Sequence, residues 1–132
     1  MQKRQAAGII LYKDGKMLLQ HRSDDAPRNP GLWGLFGGGI EEGETPIEAV
    51  RRETMEELEY RLNDPRFISI EESDIQTVHL FIEEYDGSPL VQHEGKGMGW
   101  FTLDEALLLD ISAVRRASFE RLRDRLIKEM AE

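Results

Sequence analysis

Glu53, Glu56 and Glu57 recur at helical spacing within Gly37 to Tyr60, GGGIEEGETPIEAVRRETMEELEY. Residues three or four apart meet on successive helical turns, so Glu53 lies beside both of the others. Like charges so placed repel, and a hard divalent cation with oxygen ligands is their natural partner. On residue pattern alone, the same glutamates also describe the solvated face of an acidic helix. Just upstream, Gly37, Gly38 and Gly39 allow the backbone to turn sharply and to approach a metal or a phosphate closely.

The helix that must carry the glutamates has a well-marked start. Thr45 is suited to the N-cap, Pro46 to the first helical position and Glu48 to the reciprocal capping contact. Ile47, Val50, Thr54 and Leu58 follow a 3.6-residue period and form its buried stripe, with the carboxylates beside the stripe. Asn63, Asp64 and Pro65 end or follow the helix. Upstream, the apolar runs Ala6 to Tyr12 and Lys16 to Gln20 flank Asp14-Gly15 and read as a β-hairpin. His21 to Asn29 is a polar loop, and Pro30 to Phe36 returns the chain as a short extended segment to the glycine turn. Downstream, Arg66 to Glu71 and Ile75 to Tyr85 read as strands, with Val78, Leu80 and Ile82 on one face. Asp86-Gly87 marks a turn, and Thr102 with Glu105 caps a short helix. From Ser112 onward Phe119, Leu122, Leu126 and Met130 outline one terminal amphipathic helix. Strands on both sides of a central helix, closed by a terminal one, give the α/β class with a mixed sheet between helices.

The 132 residues fit one domain, 1–132, without a linker or repeat. A chain of this size buries roughly two-thirds of its unfolded surface and holds a real core. With no cysteine, disulfides, thiolate metal sites and cysteine nucleophiles are excluded, and a cytoplasmic setting is expected. No apolar run approaches membrane-spanning length, so no membrane partner is expected. A net charge of −9 repels extended nucleic acid, yet an acidic surface accepts a polyphosphate when cations supply the missing charge.

Read from Gly38, the segment places Glu44 after five residues, Arg52-Glu53 after seven more, and then Glu56-Glu57. This pattern resembles the Nudix hydrolase signature, with every charged position present. The departures are Thr54 for an aliphatic residue, Glu59 for a glycine, and Tyr60 as a loose apolar match. Glutamate takes the left-handed conformation less readily than glycine, so a different helix exit is expected at Glu59. The hairpin, the LLQHRS segment at Leu18 to Ser23, and the loop from Glu94 to Trp100 also resemble family elements. Glu94, six residues before Trp100, is similar to the MutT-like branch that cleaves nucleoside triphosphates, although Phe36 stands where that branch usually has proline.

The resemblance implies a Nudix-type α/β/α sandwich and Mg2+-dependent pyrophosphohydrolase chemistry, with Mn2+ as a substitute. It implies metal ligation by Glu56 and Glu57 with the Gly37 carbonyl, Glu53 as general base and further ligand, and Glu94 as an additional ligand or base. Arg52 would hold carboxylates in place, reaching Glu56, Glu48 and Glu44. Gly38 and Gly39 would approach the substrate, and Arg22 divides between phosphate contact and surface pairing. Trp33 and Trp100 read as packing residues, and His21, His79 and His93 as outside any metal site.

The implied substrate is a small nucleotide, foremost a (deoxy)nucleoside triphosphate cleaved to the monophosphate and pyrophosphate. ADP-ribose, nucleotide sugars and dinucleoside polyphosphates are the alternative substrates. A non-catalytic nucleotide-sensing module is the alternative of another class, disfavoured by the intact glutamates. An isopentenyl diphosphate isomerase is disfavoured by the lack of cysteine. A homodimer is compatible with the sequence.

Overall fold

The computed structural model describes residues 3–131, so positions 1, 2 and 132 of the expected 1–132 domain lie outside the described residues. The hairpin forms as expected: β1 (Arg4–Lys13) and β2 (Lys16–His21) join through Asp14 and Gly15. Both turn residues have positive φ, 50° and 73°, as the primed turns that match strand twist require.

Only the turn end of the hairpin is paired. Tyr12 faces Met17 and Lys13 faces Lys16; beyond them the strands part. One edge of β1 is taken along its length by β6 (Gln76–Glu84), which runs parallel to it from Arg4↔Gln76 to Tyr12↔Glu84. The freed part of its other edge pairs antiparallel with β4 (Phe36–Gly39), from Ala6↔Gly39 to Ile9↔Phe36. On β2, the far end binds β3 (Trp33–Gly34) while β7 (Gly97–Phe101) pairs along the opposite edge. β5 (Arg66–Glu72) lines β6 and completes a seven-stranded mixed sheet.

The three glycines are therefore strand, correcting the expected sharp turn. The turn comes later, at positive-φ Gly43, while Gly37 adopts φ 144° inside β4. A Cβ on Gly37 would lie 2.2 Å from the Ala7 carbonyl oxygen. Glycine is needed there for strand proximity.

Two apolar layers sandwich the sheet because successive strand residues face opposite sides. Ala7, Ile9 and Leu11 of β1 pack with Val50 and Leu58 of α1 (Pro46–Leu58). Ile10, Met17, Leu80 and Ile82 pack on the other face with Leu103 of α2 (Leu103–Ala106), Phe119 of α3 (Ala113–Arg121), and Leu126 of α4 (Arg123–Met130). This is the α/β/α sandwich. The expected single terminal helix is broken at Leu122, whose φ of −93° and ψ of 5° end α3 and start α4. No helix of the described residues is long and apolar enough to cross a membrane.

Both capping boxes form, Thr45 with Glu48 and Thr102 with Glu105. Along α1 the stripe differs in two places from the expectation. Ile47, in the first turn, is exposed, and Ala49 is buried in its stead. Glu57 lies on the buried stripe rather than beside it, seven residues after Val50 and next to Leu58. The helix ends at Leu58, before Asn63, because Glu59 takes the left-handed conformation at φ 53° and ψ 34° and donates its N–H to the Met55 carbonyl.

Candidate active site

Where β1 and β2 part, β4 brings its glycines beneath α1. The Gly37 N–H donates to Glu57 Oε1 at 2.8 Å. Glu57 is only 7 % exposed, and burial pushes its carboxyl up to about 8, reinforced by Glu53 and Glu94 and opposed by the Gly37 amide and Arg22. A buried acid whose charge is disfavoured by two neighbouring acids is poised to gain from a cation.

Glu53 sits one turn earlier. Burial also raises its pKa, with Arg52 opposing and Glu56 and Glu94 reinforcing. A Cβ on Gly38 would stand 2.5 Å from Glu53 Cδ, so this glycine leaves the space that the carboxyl occupies. Gly39 has another neighbour: its Cβ would meet Arg4 Nη2 at 3.3 Å.

Arg52 organises the acids around it. Its Nε and Nη2 donate to the two Glu44 oxygens at 2.7 and 3.0 Å, holding that carboxyl at about 2. Nη2 also donates to the Gly39 carbonyl at 3.0 Å, tying helix to glycine strand. Nη1 donates to Glu53 Oε1 at 3.0 Å and reaches Glu56 Oε2 at 3.3 Å. The expected reach to Glu48 is not made: that carboxylate accepts from Thr45 N at 2.9 Å as part of the helix cap.

A cleft of about 610 Å³ opens over this corner, lined by Gly37, Gly38, Gly39, Glu53, Glu57 and Glu94. Arg22 joins the same lining, its Nε donating to the Arg28 carbonyl at 2.8 Å. Glu56 is the outlier. Its side chain is 58 % exposed and turned towards Arg52, outside the cleft lining.

The donor set consists of hard oxygens, which suits Mg2+ or Mn2+. Glu94 raises the charging cost of both Glu53 and Glu57, and Glu53 adds to that of Glu57, and the site fits a cation on that ground. Among the described residues no three acidic or histidine side chains form a ready ligand cluster. The reason is visible in the contacts: Arg52 engages Glu53 and Glu56, while the Gly37 amide engages Glu57.

Trp33 stacks on His21 with centroids 4.6 Å apart and meets Phe101 edge-on, and Trp100 packs against Tyr85. Both tryptophans thus serve packing, although Trp33 also borders the cleft. Arg4 and Arg28 line the cleft without having been singled out from the sequence. Arg4 opens an apolar strand and Arg28 lies in a charged loop, and no spacing links either to the glutamates.

A NUDIX domain model matches residues 2–122. The nucleoside triphosphatase NudI of an Enterobacter species is 28 % identical over 135 residues, covering 90 % of this chain and 96 % of that protein. The NAD-capped RNA hydrolase NudC of Chromobacterium violaceum is 32 % identical over 127 residues, covering 89 % of this chain; the chain spans about half of NudC, 47 % of its length. The crystal structure of a MutT NUDIX hydrolase from Burkholderia pseudomallei superposes with a TM-score of 0.79 at 25 % identity, over 92 % of this chain and 99 % of that one.

Proposed function

Since the chain belongs to the NUDIX domain family, we propose that it is a Mg2+-dependent pyrophosphohydrolase of (deoxy)nucleoside triphosphates, yielding the monophosphate and pyrophosphate. The observation that carries the proposal is the buried Glu57 carboxyl, anchored by the Gly37 amide and crowded by Glu53 and Glu94 at the wall of an open cleft. The choice of triphosphate draws on the likeness to the NudI protein over nearly its whole length.

Glu57, Glu53 and Glu94 would hold the cation, with Glu56 and the Gly37 carbonyl as further donors. A bound divalent cation supplies charge neutralisation at the phosphates and a more acidic water. Glu53 is the general base: it lines the cleft one turn from Glu57, and Arg52 fixes its orientation. Arg52 also spans Glu44 and the Gly39 carbonyl, so the helix and the glycine strand keep one spacing during turnover. Arg22 meets the substrate phosphates from the loop side.

A second reading, hydrolysis of a diphosphate linking two larger groups as in ADP-ribose, is favoured by the likeness to NudC. Incubation with a panel of triphosphates, ADP-ribose, nucleotide sugars and dinucleoside polyphosphates, with chromatographic product identification, separates the two. Fastest turnover of triphosphates is expected. Selective cleavage of ADP-ribose would transfer the assignment to the second reading, and no turnover with Mg2+ or Mn2+ would reject both.

A further inference from the structure

Of the four arginines that line one cleft in a protein whose net charge is −9, three have no salt bridge among the described residues. They are Arg4 at the start of β1 and Arg22 and Arg28 in the loop after β2. Among the described residues none of the three has a carboxylate within 4.0 Å, although acids outnumber bases 26 to 17. Arg115, the fourth arginine of the lining, is paired with Glu71, and other arginines without a salt bridge, such as Arg51, Arg116 and Arg125, donate to backbone carbonyls away from the cleft, so what sets the three apart is their gathering at one cleft. Unpaired guanidinium groups gathered in an acidic chain need an explanation.

The local structure holds the three together. Arg4 Nη1 donates to Gln76 Oε1 at 2.9 Å, which fixes its head beside Gly39. Arg22 Nε donates to the Arg28 carbonyl. The loop that carries them is folded on itself, with Ala26 and Gly31 both donating to the Ser23 carbonyl and Lys96 Nζ reaching Asp24 at 2.7 Å. Arg4 is harder to charge than a free arginine, first through burial and then through Arg28, with Glu53 opposing and Arg22 adding to the effect. Like charges kept so near one another, with no carboxylate in salt-bridge contact with any of them among the described residues, gain from an anion brought by a ligand.

We propose that Arg4 and Arg28 complete, with Arg22, a site for the pyrophosphate end of the substrate, beside Gly39 and the glutamates. The site rests on the triphosphate reading of the cleft and sharpens it. Three guanidinium groups match the charge of a pyrophosphoryl group, and planar forks bind phosphate oxygens in pairs. A nucleotide sugar presents a neutral group there and leaves the arginines uncompensated. The same site retains pyrophosphate after cleavage, so pyrophosphate acts as a product inhibitor.

Calorimetric titration of the metal-free protein with inorganic pyrophosphate, in EDTA at low ionic strength, tests the site without any turnover. Saturable, salt-sensitive binding is expected. Arg28→Gln, at an exposed position, and Arg4→Gln should each weaken it by about tenfold or more, as for the loss of one charged hydrogen bond. Arg4→Lys should restore part of the loss, and Arg66→Gln, away from the cleft, should change nothing. Circular dichroism confirms that each variant is folded. No binding by the wild type, unchanged affinity in Arg28→Gln and Arg4→Gln, or an equal loss of nucleoside monophosphate affinity would overturn the proposal. Arginine-dependent binding by a protein that hydrolyses no triphosphate would leave the site standing and reject the triphosphate reading instead.

Discussion

Replacing Glu57 by glutamine should raise the stability of the metal-free protein while removing its activity. The substitution keeps shape and keeps an acceptor for the Gly37 N–H, which now reaches Glu57 Oε1 at 2.8 Å. It removes a titration. In the folded chain Glu57 holds its proton up to about pH 8, against a usual value of 4.5. Between those values folding takes up a proton, so stability is complete below about 4.5, falls as pH rises and levels off above 8. At 1.36 kcal/mol per unit the ceiling on that fall is about 5 kcal/mol, and relaxation around the buried charge leaves a few kcal/mol of it. Urea melts in EDTA at pH 5 and pH 9 should therefore coincide for Glu57→Gln and wild type at the lower pH. At the higher pH the variant should be more stable. Excess Mg2+ should return about 3 kcal/mol to the wild type at 100 times its dissociation constant, and far less to the variant. Turnover should drop by about 100-fold or more, since a divalent ion is worth several kcal/mol of transition-state stabilisation. An unchanged pH slope in the variant, or turnover near that of the wild type, would refute the reasoning.

Exhaustive chelation should abolish hydrolysis and added Mg2+ or Mn2+ should restore it; full activity in EDTA would contradict the carboxylate site. Arg52→Ala should lower kcat by about 10- to 100-fold, as when a group that orients metal ligands is lost, with the fold retained by circular dichroism. Unaltered kcat would reduce Arg52 to a structural tie. Glu59→Gly should raise stability by about 0.5–1 kcal/mol in urea melts, because it relieves a left-handed glutamate at φ 53° and removes only an exposed contact with His93. A loss of stability would show that the His93 contact outweighs the backbone strain.

What was legible in the sequence was local. Thr45-Pro46 with Glu48, Thr102 with Glu105, and Asp14-Gly15 each act within a few residues, and each adopts the expected geometry. Strand periodicity likewise placed Leu80 and Ile82 in one layer. The glycine run was misread because glycines mark turns, whereas here they allow β4 to lie against Ala7 and Glu53, partners far away in the sequence. Nothing at Leu122 signals a break, since neither proline nor glycine stands there. Glu57 stands seven residues after Val50, at the spacing of the buried stripe, but the Gly37 amide that receives its carboxyl lies twenty residues away and leaves no local signal. Arg4 and Arg28 could not be found, because their common cleft is assembled by the separation of β1 from β2.

The proposed reaction splits a triphosphate into the monophosphate and pyrophosphate, with water attacking the phosphorus nearest the nucleoside so that pyrophosphate leaves intact. Hydrolysis of a nucleoside triphosphate with Mg2+ in 18O-labelled water, followed by mass spectrometry of both products, tests it most directly. The expected result is labelled nucleoside monophosphate with unlabelled pyrophosphate. Labelled pyrophosphate, or release of orthophosphate, would contradict it.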